Sequence, residues 1–300
     1  MHSMELRPRT VGEILDVAFK LYTSNIRKLL IISAVVFIPI GIIQLFVASG
    51  SGFDTMDLFD SDAMARGELP AGFAGFIGGS LALGVISLIG SLFVQGASIK
   101  LFAGAFQGID QTWQESVRFG IDKSLLILGT ALLSALGSGI GLIFCLVPGI
   151  WLWTSWYVAI PSLLVEGTRP IAALTRSFQL VKQRFWPVFG VGVLAWLISQ
   201  VVVQLLGLVV SLVAVVPSIM EAAETGTLDG GVYGASVLAS SVASIVTVPF
   251  LAAVAVAVYF DLRVRFEGFD IEMLSRQSGN LEITPGVPPD QSPDDPFGLN

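Results

Sequence analysis

Stretches 29–48, 73–98, 124–147, 150–166, 186–216 and 235–262 are longer and more apolar than the core segments of a water-soluble fold. About 18 or more apolar residues in a row read as a membrane-crossing helix, because ~20 residues at 1.5 Å each traverse a hydrocarbon layer of ~30 Å. The fourth stretch is near the lower limit for crossing, and the fifth and sixth are long enough to tilt or protrude. Only 13% of the residues are charged and 54% are hydrophobic, against about 25% charged in ordinary soluble domains. Lipid then takes the place that a buried core has in water. The expected fold class is all-α, a polytopic membrane bundle of six transmembrane helices within an integral membrane domain over 1–275. The first apolar run exceeds the core of a signal peptide and is read as a retained helix.

The basic residues set the orientation. Arg7, Arg9, Lys20, Arg27 and Lys28 precede the first span; Lys100, Arg118 and Lys123 follow the second; Arg169, Arg176, Lys182 and Arg184 follow the fourth; Arg263, Arg265 and Arg276 follow the sixth. If six helices alternate in direction, all of these fall on one face and only Arg66 falls on the other. Basic loops are retained in the cytoplasm, so both termini are expected there. The net charge of −7 comes from carboxylates spread through loops and tail, which read as solvated charge. The outer loop with Asp54, Asp57, Asp60, Asp62 and Glu68, and the later one with Glu221, Glu224 and Asp229, lack the spacing of a calcium-binding loop. Residues 276–300, rich in Pro and Asp, read as a disordered cytoplasmic tail.

Amphipathic segments precede three of the spans. Val11, Ile14, Leu15, Ala18, Tyr22 and Ile26 share one helical face; Ile171, Leu174, Phe178, Val181 and Phe185 share another; Trp113, Val117 and Ile121 form a shorter third. Each is expected to lie along the cytoplasmic membrane surface. In the second, Arg169, Arg176, Lys182 and Arg184 sit opposite or beside the apolar face, where long cationic stems snorkel toward lipid phosphates. They are the candidate lipid-headgroup contacts. The chain thus reads as three repeated units of interfacial helix plus outward-pointing hairpin; a shift of 159 residues lays Leu15 on Leu174, Phe19 on Phe178 and Leu21 on Leu180.

Chemistry is sparse. No ionisable residue falls near the middle of a span, where one would mark a transport or catalytic site. Glu166 and Asp261 lie at span ends, close in sequence to Arg169 and to Arg263 and Arg265, and read as interfacial ion pairs. Gln44, Gln95, Gln200 and Gln204 fall within spans. Their ordinary role is a hydrogen bond between helices, while Gln200 and Gln204, one turn apart, are the candidate lining of a polar path. Gly75 with Gly79 and Gly137 with Gly141 allow close helix approach. Trp151, Trp153, Trp156 and Tyr157 read as an aromatic belt at the outer interface, and Pro148-Gly149 as a tight turn between the third and fourth spans. Cys145, the sole cysteine, reads as packing, and His2, the sole histidine, leaves no His-based constellation inside the fold. No phosphate loop, dinucleotide fingerprint or nucleophile elbow occurs. No enzyme activity, cofactor, metal or nucleic-acid partner is expected.

The segments LRPRTVGEILDVAFKLYTSNIRKLL, VPGIWLW, IPSLLVEGTRPIAALTRSFQLVKQRFWPVF and VYFDLRVRFEGFDIEML together resemble the glycerophosphoryl diester phosphodiesterase membrane-domain family, in particular its stand-alone actinobacterial members. The likeness covers roughly residues 5 to 275. It implies residence in a bacterial inner membrane. In fused members a separate barrel carries the metal-binding carboxylates and histidines for hydrolysis, and these 300 residues hold no such set, so the activity does not transfer. The reading from sequence is a non-enzymatic membrane component with membrane lipids and other envelope membrane proteins as partners. The alternative is a transporter or lipid flippase with a path between the hairpins.

Overall fold

A computed structural model of the chain describes residues 9–50, 73–107, 109–225 and 231–268. The segment 276–300 and the outer loop with Asp54 and Arg66 lie outside the described residues. Every regular element described is an α-helix: α1 Val11–Ser24, α2 Ile26–Gly50, α3 Phe73–Phe106, α4 Trp113–Phe144, α5 Leu146–Ser155, α6 Ala159–Glu166, α7 Pro170–Val181, α8 Phe185–Thr225 and α9 Gly231–Glu267. Five helices, α2, α3, α4, α8 and α9, are long and apolar enough to cross a membrane.

The stretch 150–166, expected as one span, is divided. Helix α5 ends at Ser155, Trp156 and Val158 leave the helical path, and α6 carries on from Ala159. An apolar run shows hydropathy and not continuity, so the break was invisible to a window average. Breaks of this kind survive within a membrane only where other groups satisfy the freed backbone. Here Ser177 Oγ on α7 donates to the Ser155 carbonyl at the break at 2.8 Å, and Ser162 Oγ ties α6 to α7 by donating to the Ala173 carbonyl at 3.3 Å.

The reversal between α4 and α5 also differs from expectation. It is made at Cys145, in extended backbone with φ −168° and ψ 146°, and Pro148 and Gly149 already belong to α5. Cys145 is exposed at this apex and is not packed inside. The two helices then close on each other through glycine. A Cβ on Gly141 would lie 2.9 Å from the Gly149 Cα, backbone against backbone. Gly141→Ala is therefore expected to lower stability by about 1–3 kcal/mol by forcing the hairpin open. Gly139→Ala, with nothing within 4 Å of its Cβ, should be neutral or gain up to ~1 kcal/mol of helix propensity. Thermal unfolding of both variants in one detergent separates packing from propensity. Of the expected close-approach glycines, Gly137 faces the Trp156 ring with 2.5 Å to a built Cβ, whereas Gly75 meets nothing within 4 Å.

Helix α9 forms the axis of the bundle. Its most apolar window is 56% buried, against 11% for α8, and it packs on α1, α2, α3 and α8. Sequence explains this choice: Ala252, Ala253, Ala255 and Ala257 alternate with Val254, Val256 and Val258, all buried, and small residues let helix backbones approach where water gives no driving force. Leu21, Leu29, Phe102 and Tyr259 complete the same core. Gln44 Nε2 on α2 donates to Ser87 Oγ on α3 at 3.0 Å, the interhelical bond expected of a membrane amide.

Helix α1 starts at a capping box in which the Glu13 N–H donates to Thr10 Oγ1 and the Thr10 N–H donates to Glu13 Oε2. Thr112 and Glu115 repeat this device at the start of α4. The segment from Trp113 to Lys123 is accordingly the first turns of α4 and no separate surface helix. The apolar face of α1, including Ile14, Ala18, Leu21 and Tyr22, is buried in the protein core and so is not available to lie on lipid. On α7 the buried residues are Ala173, Ser177, Leu180 and Val181, while Ile171 is 72% exposed. Tertiary packing selected the small side of that helix, because Ser162 and Ser155 must approach its backbone and hydroxyl.

Candidate functional site

Two places concentrate polar chemistry. The first is a set of ion pairs where Arg9, the end of α6, α7 and the end of α9 meet. Gly167, at φ 67°, ends α6 in a left-handed conformation that glycine adopts without strain. The chain reverses there, and Pro170 starts α7 at a position that needs no N–H partner. This reversal lays Arg176 back over Glu166, with Nε 2.9 Å from Oε1 and 3.0 Å from Oε2. The Tyr259 hydroxyl donates to the same Glu166 Oε1 at 2.9 Å. Arg176 Nη2 pairs with Glu267, whose other oxygen takes Arg263 Nε at 3.0 Å. Burial acts to lower the Arg176 pKa, but the bonds and charges of Glu267 and Glu166 outweigh it and hold the guanidinium above its ordinary value.

A neighbouring pair is more deeply enclosed. Asp261, 2% exposed, accepts the Arg9 backbone N–H at 2.7 Å and Arg265 Nε at 2.8 Å. Arg265 Nη2 in turn donates to the Arg9 carbonyl. One carboxylate and one guanidinium thereby fix the chain entering α1 to the end of α9. Arg184 borders the same crevice beside Arg9 and Asp261.

Of the two expected ion pairs, one has a different partner. Glu166 binds Arg176 and not Arg169, because the turn at Gly167 brings a residue ten positions on closer than one three positions on. Asp261 does bind Arg265. Among the four candidate lipid contacts, Arg169 and Lys182 are exposed, Arg184 is half-buried, and Arg176 is engaged by carboxylates. Gln200 and Gln204 are both exposed on the outside of α8, and the structure does not turn them toward a path between hairpins.

The second place is a cavity of about 250 Å³ beside the break between α5 and α6. Gln95 of α3, Thr130, Ser134 and Ser138 of α4, and the rings of Trp153, Trp156 and Tyr157 line it. The three hydroxyls recur every fourth residue and so share one face of α4. These aromatic residues were expected in an outer belt. The break instead brings Trp156 and Tyr157 half-buried against the bundle and leaves Trp153 exposed at the cavity rim, with Trp153 and Tyr157 ring atoms 3.2 Å from a Cβ built on Gly192 of α8. The polar face was within reach of sequence reading as T-x-x-x-S-x-x-x-S inside an apolar run; its partner surface was not, since it depends on the break.

Among the described residues no three His, Cys, Asp or Glu side chains converge as metal ligands would. Compared with protein-family models, with curated proteins and with solved structures, the chain finds no match in any of the three.

Proposed function

We propose that this chain is a multi-pass, non-enzymatic membrane protein that presents one basic face to anionic lipid headgroups. The observation that carries the reading is a division of labour among cations at the same helix ends. Arg176, Arg263 and Arg265 are neutralised by Glu166, Glu267 and Asp261, whereas Arg27, Arg118, Arg169 and Lys182 are exposed and form no ion pair among the described residues. The first group ties the bundle together, and the second is free to meet phosphates. Membrane residence rests on the five long apolar helices. In this reading α5 and α6 together make a sixth, broken crossing, which keeps all the basic connections on the cytoplasmic side. The bacterial inner membrane belongs to the same proposal and is supported by the family resemblance; a repeat of interfacial helices does not, since the apolar face of α1 is in the core and Trp113–Lys123 is part of α4. Envelope membrane proteins are partners consistent with it.

Each basic residue near an anionic surface contributes ~1 kcal/mol. Replacing Arg27, Arg118, Arg169 and Lys182 by Gln should therefore reduce retention of phosphatidylglycerol over phosphatidylcholine by about tenfold or more in native mass spectrometry. Retention unchanged by the four substitutions would contradict the lipid-binding role while leaving the fold intact.

A further inference from the structure

We propose that the cavity beside the broken helix binds a small uncharged molecule bearing a hydroxyl or carbonyl oxygen, taken from the bilayer. Its position argues for entry from lipid. On α4 it lies between Lys123, the last charged residue of that helix, and the apolar apex at Phe144; Ser138 is ~22 Å along the axis from Lys123 at 1.5 Å per residue. Ala135 and Trp153 on its rim are exposed, and the neighbouring exposed residues of α4 are Leu132, Leu133, Leu136 and Ile140. That surround is hydrocarbon when the chain spans a membrane.

Charge selects the ligand class. None of the lining residues is ionisable at neutral pH, so an ion would enter this depth without compensation, at heavy cost. An uncharged oxygen-bearing group meets the opposite situation. Ser138 Oγ is buried and has no hydrogen-bond partner, an arrangement rare enough in folded proteins to call for one. A ligand oxygen beside it completes that bond, and the Gln95 amide and Ser134 hydroxyl offer further donors and acceptors. The rings of Trp153, Trp156 and Tyr157 cover the apolar body of the guest. At about 250 Å³ the site holds a head or a small whole molecule and no two-chain lipid.

Tribromoethanol is a suitable probe, being small, neutral, membrane-soluble and a heavy-atom quencher of indole fluorescence; tribromoacetate is its charged counterpart. In the full chain reconstituted in phosphatidylcholine vesicles, tribromoethanol should quench a component of the fluorescence saturably, and tribromoacetate at neutral pH should not. The saturable component should vanish in the Trp153→Phe/Trp156→Phe variant. Ser138→Ala should weaken it about fivefold, the value of one neutral hydrogen bond, and Ser134→Phe should abolish it by filling the space. Should Ser134→Phe fail to reconstitute, Ser138→Ala decides alone. Linear quenching, equal saturation by tribromoacetate, or an affinity unchanged by Ser138→Ala would overturn the proposal.

Discussion

Asp261→Ala is expected to lower the stability of the folded chain by about 3–5 kcal/mol. The carboxylate is 2% exposed and has two partners, the Arg9 N–H and Arg265 Nε. Its removal strands a guanidinium whose side chain is only 18% exposed, and releases the segment entering α1 from α9. Removing one partner of an enclosed pair costs far more than the pair is worth against an apolar substitute, because the survivor keeps its desolvation penalty. Asp261→Asn keeps an acceptor for the Arg9 N–H and loses the charge, so its loss should fall between wild type and alanine. Urea or thermal unfolding in detergent gives the order wild type, Asn, Ala. Equal stability of all three would mean that α1 does not depend on this anchor.

The second large effect is expected at Arg176. This guanidinium stands between Glu166 and Glu267, with all three side chains a fifth to a quarter exposed. Partial access to solvent reduces the cost of breaking it to about 2–3 kcal/mol for Arg176→Met. Glu166 is then left with the Tyr259 hydroxyl alone and faces Glu267, which keeps Arg263. Arg176→Lys should recover only part of the loss, since an ammonium cannot span both oxygens of Glu166 and still reach Glu267. The diagnostic result is in the double variant. Adding Glu166→Gln to Arg176→Met should restore about 1 kcal/mol by removing one of the opposed charges, a non-additivity expected for groups in one network. Strict additivity would place the two residues in separate environments.

How far the sequence reached depends on the kind of force involved. Hydropathy is a property of single segments, and it located α2, α3, α4, α8 and α9. The segregation of basic residues was also visible, and the structure gathers Arg9, Arg176, Arg263 and Arg265 at neighbouring helix ends. The Thr10–Glu13 and Thr112–Glu115 boxes are local signals that mark helix starts directly. Pairings that need a chain reversal were not legible. Arg169 looked nearer to Glu166 than Arg176 did until Gly167 turned the chain. The apolar periodicity of Ile171, Leu174 and Phe178 pointed to one face of α7, but the hydrogen bond from Ser177 to the Ser155 carbonyl fixed another.

The cavity shows the same limit in a different way. Thr130, Ser134 and Ser138 form a polar face on α4 that any helical projection displays, yet a hydroxyl in a membrane helix commonly bonds its own backbone. Thr130 does so, donating to the Leu126 carbonyl at 2.9 Å. Ser138 does not, and beside it Trp156 packs on Gly137 where the α5–α6 break delivers it. Gln200 and Gln204 teach the converse. Their spacing suggested an inward path, but α8 is the least enclosed of the five long helices, and both residues fall on its exposed side.

The central claim is that the basic helix ends lie on one side of a membrane and the far ends of the long helices on the other. Helix α8 tests it directly, because Lys182 precedes its start and Thr225 is its last residue. In a Cys145→Ser background, Lys182→Cys and Thr225→Cys are each exposed to a membrane-impermeant maleimide in sealed vesicles of known orientation. Labelling of Thr225→Cys alone from the outer side, and of Lys182→Cys only after permeabilisation, is the result this account predicts. Labelling of both positions from the same side would contradict it.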